Sequence, residues 1–298
     1  MLKEKIRHIY EQKYKTLLII PLLLLLLSLA QIGYQYGTTG DFVHKGIALK
    51  GGSTFTINYQ AAVSPALLEE ELQQQFPDAD VSIRTITSTS DIVGYTIETN
   101  LQEKEDIESF LAFLGSKVEL VEGEYSTEVI DSSLGQSFFL QTAWALLIAF
   151  ILMAIVVFVY FRMLVPSLSV ILVAFSDIVT TLAIFNLTGS KLTTGGVAAF
   201  LMLVGYSVDT EMLLNSKALK QPGSVFLQQI YSAISTGMTM TLTVLAAVFV
   251  ALIFVNNDVV KQIMLVLFIG LLVDMVNSWI LNVGLLRWHM EKRGRHHG

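Results

Sequence analysis

FFLQTAWALLIAFILMAIVVFVY, residues 138–160, runs the width of a bilayer without one charged side chain. A helix crossing the hydrocarbon core needs about 20 mostly apolar residues. This stretch therefore reads as a membrane span, and the chain as a polytopic α-helical membrane protein. Four further runs follow it, near residues 165–186, 193–215, 233–255 and 262–288, and one precedes it, near 16–34. Short breakers divide them: Arg162 and Pro166, residues 188–191, 217–223 and 256–261. Composition agrees. Of 298 residues 53% are hydrophobic, mean hydropathy is +0.61, and 15% are charged, against about 25% in soluble domains.

The first span carries a basic flank of Lys3, Lys5, Arg7, Lys13 and Lys15. That flank resembles a signal peptide, but no small-residue cleavage site follows, since Ala30 leads into Gln31, Ile32 and Gly33. A retained signal-anchor is expected. Lysines and arginines orient the rest. With the N-terminus inside, the five flanking residues, Arg162, Lys217, Lys220, Arg287, Lys292, Arg293 and Arg295 all fall on the cytoplasmic side, whereas the short outer loops hold only Lys191 and Lys261. The expected layout is a cytoplasmic segment 1–15, a first transmembrane helix 16–36, an extracytoplasmic domain 37–137, a five-helix bundle 138–288 and a cytoplasmic basic tail 289–298. His296 and His297 belong to that tail and read as a solvated end or tag remnant rather than a metal site.

The acidic balance belongs to one segment. Of the 25 acids, 17 lie between residues 41 and 131, with only Lys45, Lys50, Arg84, Lys104 and Lys117 among them. Nothing there suggests nucleic-acid binding. The absence of cysteine excludes disulfides, thiolate metal sites and cysteine nucleophiles. The segment reads β-α-β-β-α-β, a ferredoxin-like order. Residues 47–59 are rich in β-formers and alternate over 54–59 as a strand, Ser64-Pro65 opens a helix over 66–76, 81–87 and 92–99 form a hairpin across 88–91, Asn100 precedes a second helix ended by Gly115, and 117–125 is the last strand.

Chemistry, if present, should lie inside the membrane. Asp177, Asp209, Glu211 and Asp274 fall within expected spans. A charge at the bilayer centre costs about 2.5–3.5 kcal/mol on insertion scales, so such groups usually face the bundle interior and serve a function. Asp177 and Asp274 sit near the midpoints of their spans. Asp209 lies roughly 6 Å toward the cytoplasm from the middle of the fourth, and Glu211 projects about 200° away from it. Asp209 is expected to face inward, and Glu211 another contact or the interface. Ser232, Ser235, Thr236, Thr239 and Thr243 form one face of the fifth span, and Asp274, Asn277, Ser278 and Asn282 one face of the sixth. Such stripes also serve as helix-packing glue, which alone explains the hydroxyls.

Gly205-Tyr206-Ser207-Val208-Asp209 resembles the Gly-Tyr-Ser motif and polar pair of the SecF family of protein-export membrane proteins. Gly46-Ile47-Ala48-Leu49-Lys50-Gly51-Gly52 resembles that family's Gly-x-Asp-Phe-x-Gly-Gly signature. The resemblance covers nearly the whole chain. It implies a transporter of the resistance-nodulation-division class that works with a sister subunit, SecD, and assists export of unfolded secretory or membrane proteins through the Sec translocon. It also implies the proton motive force as the candidate drive, with no cofactor and no catalytic residue. Two departures stand out. Ala48 and Leu49 replace the signature's Asp and Phe, while Asp209 and Thr210 replace the Asn-Asp pair of bacterial members. The Arg of the bacterial fifth span is absent, with Ser232 nearest its place, as in an archaeal-type branch.

Two other classes fit less of the sequence. A small-molecule or lipid exporter of the same class usually carries two bundles, so this half-size chain would need a partner or a second copy. An intramembrane aspartyl protease would use Asp177 and Asp209 as a dyad, but the contexts Phe175-Ser176-Asp177 and Ser207-Val208-Asp209 lack the expected Tyr-Asp and Gly-x-Gly-Asp. No Ser-His-Asp set, phosphate-binding loop or metal cluster appears. Gly51-Gly52 reads as a bulge or bend in a strand rather than an anion site.

Overall fold

The computed structural model describes residues 12–57, 64–88, 91–118, 125–220, 226–255 and 257–296. Six helices among them are long and apolar enough to cross a membrane: Tyr14–Thr39, Ser132–Phe161, Leu164–Leu187, Thr194–Leu219, Leu227–Phe254 and Val259–Glu291. The first is a turn at Tyr14–Leu17 followed by α1 (Ile19–Thr39), which stops at Gly40 in the left-handed conformation. Lys3, Lys5 and Arg7 of its flank lie outside the described residues. So do Asn58 and Tyr59 of the expected first strand, residues 89–90 of the hairpin turn, residues 119–124, the 221–223 turn and His297.

The soluble unit runs β1 (Gly52–Ile57), α2 (Pro65–Gln75), β2 (Ser82–Ser88), β3 (Asp91–Thr99), α3 (Lys104–Lys117) and β4 (Tyr125–Ile130). The strands lie in the order β2-β3-β1-β4, each antiparallel to its neighbour. Alternation sends Phe55 and Ile57 of β1 and Tyr95 and Ile97 of β3 inward, against Leu68 and Leu72 of α2 and Ile107, Phe110 and Leu114 of α3. Phe55 and Phe110 stack at 5.3 Å. Burying one such side chain fully is worth about 1.5–3 kcal/mol, so this small core holds two helices on one sheet face. The β2 edge is blunted by α2: Gln73 Oε1 accepts from Val81 N at 3.4 Å and Glu69 Oε2 from Ile83 N at 3.1 Å.

Three local readings need correction. Residues Ile47–Lys50 form a helical turn, and the strand starts only at Gly52, because Gly51 takes φ 89° and breaks the extended run. Gly115 does not end the second helix: α3 begins at Lys104, after Asn100 as expected, but runs through Gly115 to Lys117, and the Asn100 side chain accepts from Asp80 N at 2.8 Å and donates to Asp78 O at 3.2 Å. The last strand is Tyr125–Ile130, starting where the sequence reading ended it.

The bundle comprises α4 (Ser132–Phe161), α5 (Leu164–Leu187), α6 (Thr194–Lys220), α7 (Phe226–Phe254) and α8 (Asp258–Val276). A π-helical segment, Asn277–Asn282, then carries α8 into α9 (Val283–His296). Asp131 caps α4 by accepting from Ser133 N at 2.7 Å. The Ser133 hydroxyl and amide hold its carboxyl below the usual range. Helices α5 and α6 form the centre: 61% and 50% of the residues in their most apolar stretches are buried, against 6% for α4. Leu203 of α6 fits against Gly270 of α8, where a Cβ would come within 2.6 Å of its methyls.

The soluble unit meets the bundle at the glycine signature. Leu192, between α5 and α6, donates its N–H to His44 O at 2.6 Å and accepts from Gly46 N at 2.8 Å. Gly51 lies so close to α4 that a Cβ would stand 2.5 Å from Ser132 Cα, and one on Gly135 would stand 2.6 Å from Gly51 N. Lys191 adds an ion pair to Asp80 at 2.8 Å. Gln262 of α8 fastens the same loop, accepting from Thr193 N at 2.8 Å and donating to Lys191 O at 2.7 Å.

Candidate functional site

Three central elements bring polar groups together in the middle of the bundle. From α5 come Ser176 and Asp177, from α6 Ser207 and Glu211, and from α8 and the π segment Asp274, Asn277 and Ser278; all are 0% exposed. Asp177 is the hub. Its Oδ2 accepts from Ser207 Oγ at 2.6 Å, and its Oδ1 accepts from Asn277 Nδ2 at 2.7 Å. The same Asn277 amide donates to Ser176 Oγ at 3.0 Å. Asp274 Oδ1 accepts from Ser278 Oγ at 3.1 Å. Asp274 stands close enough to interact with both Asp177 and Glu211.

The geometry follows from helical spacing. Ser207 and Glu211 are one turn apart on α6, as are Asp274 and Ser278 across the junction with the π segment. Single π turns recur at functional sites, and this one places Asn277, Ser278 and Asn282 wholly inside. Both Glu211 oxygens, Asp274 Oδ2 and both polar atoms of Asn282 find no hydrogen-bond partner among the described residues. Among the described residues no lysine or arginine pairs with any of the three carboxyls. Rich in buried oxygens and with no lysine or arginine partner among the described residues, the cluster can accept, share and pass protons.

The structure reverses the expected rotation of α6. Asp209 is exposed on the outer surface of the bundle, and Glu211 is the residue that faces inward. The cause is Ser207: bonded to Asp177, it turns its own side of the helix inward and carries Glu211 with it, leaving Asp209 about 160–200° round. The Ser207-x-x-x-Glu211 spacing was the signal available in the sequence. Asp177 and Asp209 therefore form no dyad. The expected hydroxyl stripe also sits elsewhere. Ser232, Ser235, Thr236, Thr239 and Thr243 are exposed on α7, where Thr236, Thr239 and Thr243 bond the carbonyls one turn back at 2.7–3.0 Å. Lys217 of α6 reaches Thr236 Oγ1 at 2.9 Å and ties the two helices together. Gly205 lies on the same exposed side of α6 as Asp209, with nothing within 4 Å of where a Cβ would stand, while Tyr206 packs against the core. Gly46, Gly51 and Gly52 are far from both groups in the chain and form the junction with the soluble unit.

Residues 114–292 match the family model described as protein export membrane protein SecD/SecF, C-terminal. The chain is similar to the SecF protein-export membrane proteins of Methanolacinia petrolearia, at 37% identity over 94% of this chain and 95% of that one, and of Pyrococcus furiosus, at 36% over 98% and 97%. Among solved structures it resembles a translocon-associated SecDF from Thermus, with TM-score 0.71 and 20% identity, covering 93% of this chain and 38% of that longer one. A SecDF in a super-membrane-facing form gives TM-score 0.56 at 16% identity, with the same coverages.

Proposed function

The chain belongs to the SecD/SecF family of protein-export membrane proteins, and from that premise we propose that it is the SecF-type subunit of an export machine, assisting translocation across the cytoplasmic membrane beside a SecD-like partner. Its role is non-enzymatic. The further partners are the Sec translocon, the unfolded proteins it exports and the surrounding bilayer. Charge placement supports cytoplasmic termini and an extracytoplasmic, ferredoxin-like unit over residues 37–137.

One observation carries the partnership: Asp209 is exposed on a membrane-spanning helix and bonds to no described residue. A carboxylate facing lipid costs energy that contact with a second bundle offsets, and the open Gly205 lets another backbone approach closely. Asp209 with the α7 hydroxyls is thus the partner-facing site, and Asp177, Glu211 and Asp274 are the interior proton-exchanging site. Movement of protons through the two, coupled to the soluble unit at Gly51 and Gly135, is the proposed drive. Asp209→Asn, made at normal abundance in cells carrying the SecD-like subunit, should lose export stimulation. Wild-type export in that variant would end the assignment of Asp209.

A further inference from the structure

Helix α4 meets the glycine signature at its outer end and is mostly exposed along its length, with Gly135 and Val157 its buried residues. Its outer end is held by Gly135 against Gly51, and near its inner end Val157 is buried. Between these lies a crevice of about 200 Å³, bounded by Phe139, Ala143 and Leu146 of α4, Leu182 of α5, and Val197 and Phe200 of α6. Thr142 also lines it, but its hydroxyl is spent on Phe138 O at 2.7 Å. The walls offer essentially no polar surface, so the crevice excludes water and takes apolar matter. Its walls belong to spanning helices, so the neighbouring medium is hydrocarbon.

The mouth is different. Phe42 lies beside it, just past the end of α1, and Lys45 Nζ sits 4.5 Å over the ring of Phe139 while bonded to Asp41 at 2.5 Å. An ammonium has three donors, and Asp41 engages one. Lys45, paired with Asp41 and seated beside an apolar slot, keeps two donors that match the phosphate head of an amphiphile with a hydrocarbon tail. The partner-facing side of α6, marked by Met202, Gly205 and Asp209, points about 140° round the helix from Val197 and Phe200. The second bundle and this crevice therefore occupy different sides of the helix.

We propose that the crevice holds one acyl chain of a membrane phospholipid, whose phosphate is received by Lys45. The bound lipid packs α4 against α5 and α6 at the level where the soluble unit joins the membrane.

The test uses the full chain in proteoliposomes containing a phospholipid with a photoactivatable acyl chain, followed by mapping of labelled residues. Label is expected on Val197 and Phe200, which are 7% and 4% exposed and closed to bulk lipid, as well as on the open faces of α4 at Leu147 and Ile151. Ala143→Phe, which fills the slot, should remove the Val197 and Phe200 label and leave the other. Lys45→Gln should lower it several-fold. Label confined to Leu147 and Ile151 in the wild-type protein would overturn the site, and that measurement requires no variant to fold. Equal labelling of Phe200 by a photoactivatable fatty acid lacking the phosphate head, unchanged in Lys45→Gln, would overturn the phospholipid assignment.

Discussion

Two carboxylates two residues apart on α6 live in opposite surroundings. Glu211 is sealed among Asp177, Asp274 and Ser278, whereas Asp209 stands on the outside with Gly205, next to a helix lined with hydroxyls. The inner group is organised within this chain, where Ser207 and Asn277 both grip Asp177. The outer group is organised for something else, since its hydroxyls bond mainly to their own helix and Asp209 to no described residue. Interior residues should therefore govern whether the bundle holds together, and outer residues whether it assembles.

The largest effect should come from removing the hub. Asp177→Leu orphans the Ser207 hydroxyl and leaves the Asn277 amide only its bond to Ser176, at about 1–3 kcal/mol for each group left unsatisfied. A thermal melt in mild detergent should drop by many degrees, with Asp177→Asn retaining more of the stability. An unchanged melt for Asp177→Leu would break the distinction between the two regions. Next, Gly205→Leu should leave the melt of the isolated chain within about 0.5 kcal/mol of wild type, as for surface changes generally. Its Cβ meets nothing, yet co-purification with the SecD-like subunit should fall at least tenfold.

The same contrast separates what was legible in the sequence from what was not. Six runs of apolar residues and the alternation of Phe55 and Ile57 are local patterns, and they gave the spans and the β-α-β-β-α-β order. The price of a charge in lipid singled out all four carboxyls. Rotation of α6 was not legible, because it depends on Ser207 meeting Asp177 across 30 positions of chain. The start of β1 was hidden for a similar reason: Gly51 breaks the strand so that the backbone can pass Ser132 and Gly135. Nor could local pattern show that the Asn100 side chain clasps residues 78 and 80, which lie 22 and 20 positions away in the chain.

At the junction, Lys191→Ala removes a half-exposed ion pair with Asp80. It should cost under about 1 kcal/mol, read in the same melt, because Gln262 and the Leu192 backbone bonds still fasten the loop. The smallest effect is expected from Thr239→Ala on α7. Among the described residues its hydroxyl bonds only Ser235 O, so the isolated chain should melt within about 0.5 kcal/mol of wild type. Any loss it causes should appear in partner association alone.

The central claim is that α6 turns Asp209 to a partner and Glu211 to the interior. Cysteine cross-linking along this one helix, in native membranes containing the SecD-like subunit, tests it most directly. Met202→Cys, Gly205→Cys and Asp209→Cys should each cross-link to cysteines on the partner's bundle, while Leu203→Cys, Ser207→Cys and Glu211→Cys should not. Efficient cross-links from positions 207 and 211, with none from 205 and 209, would contradict the account.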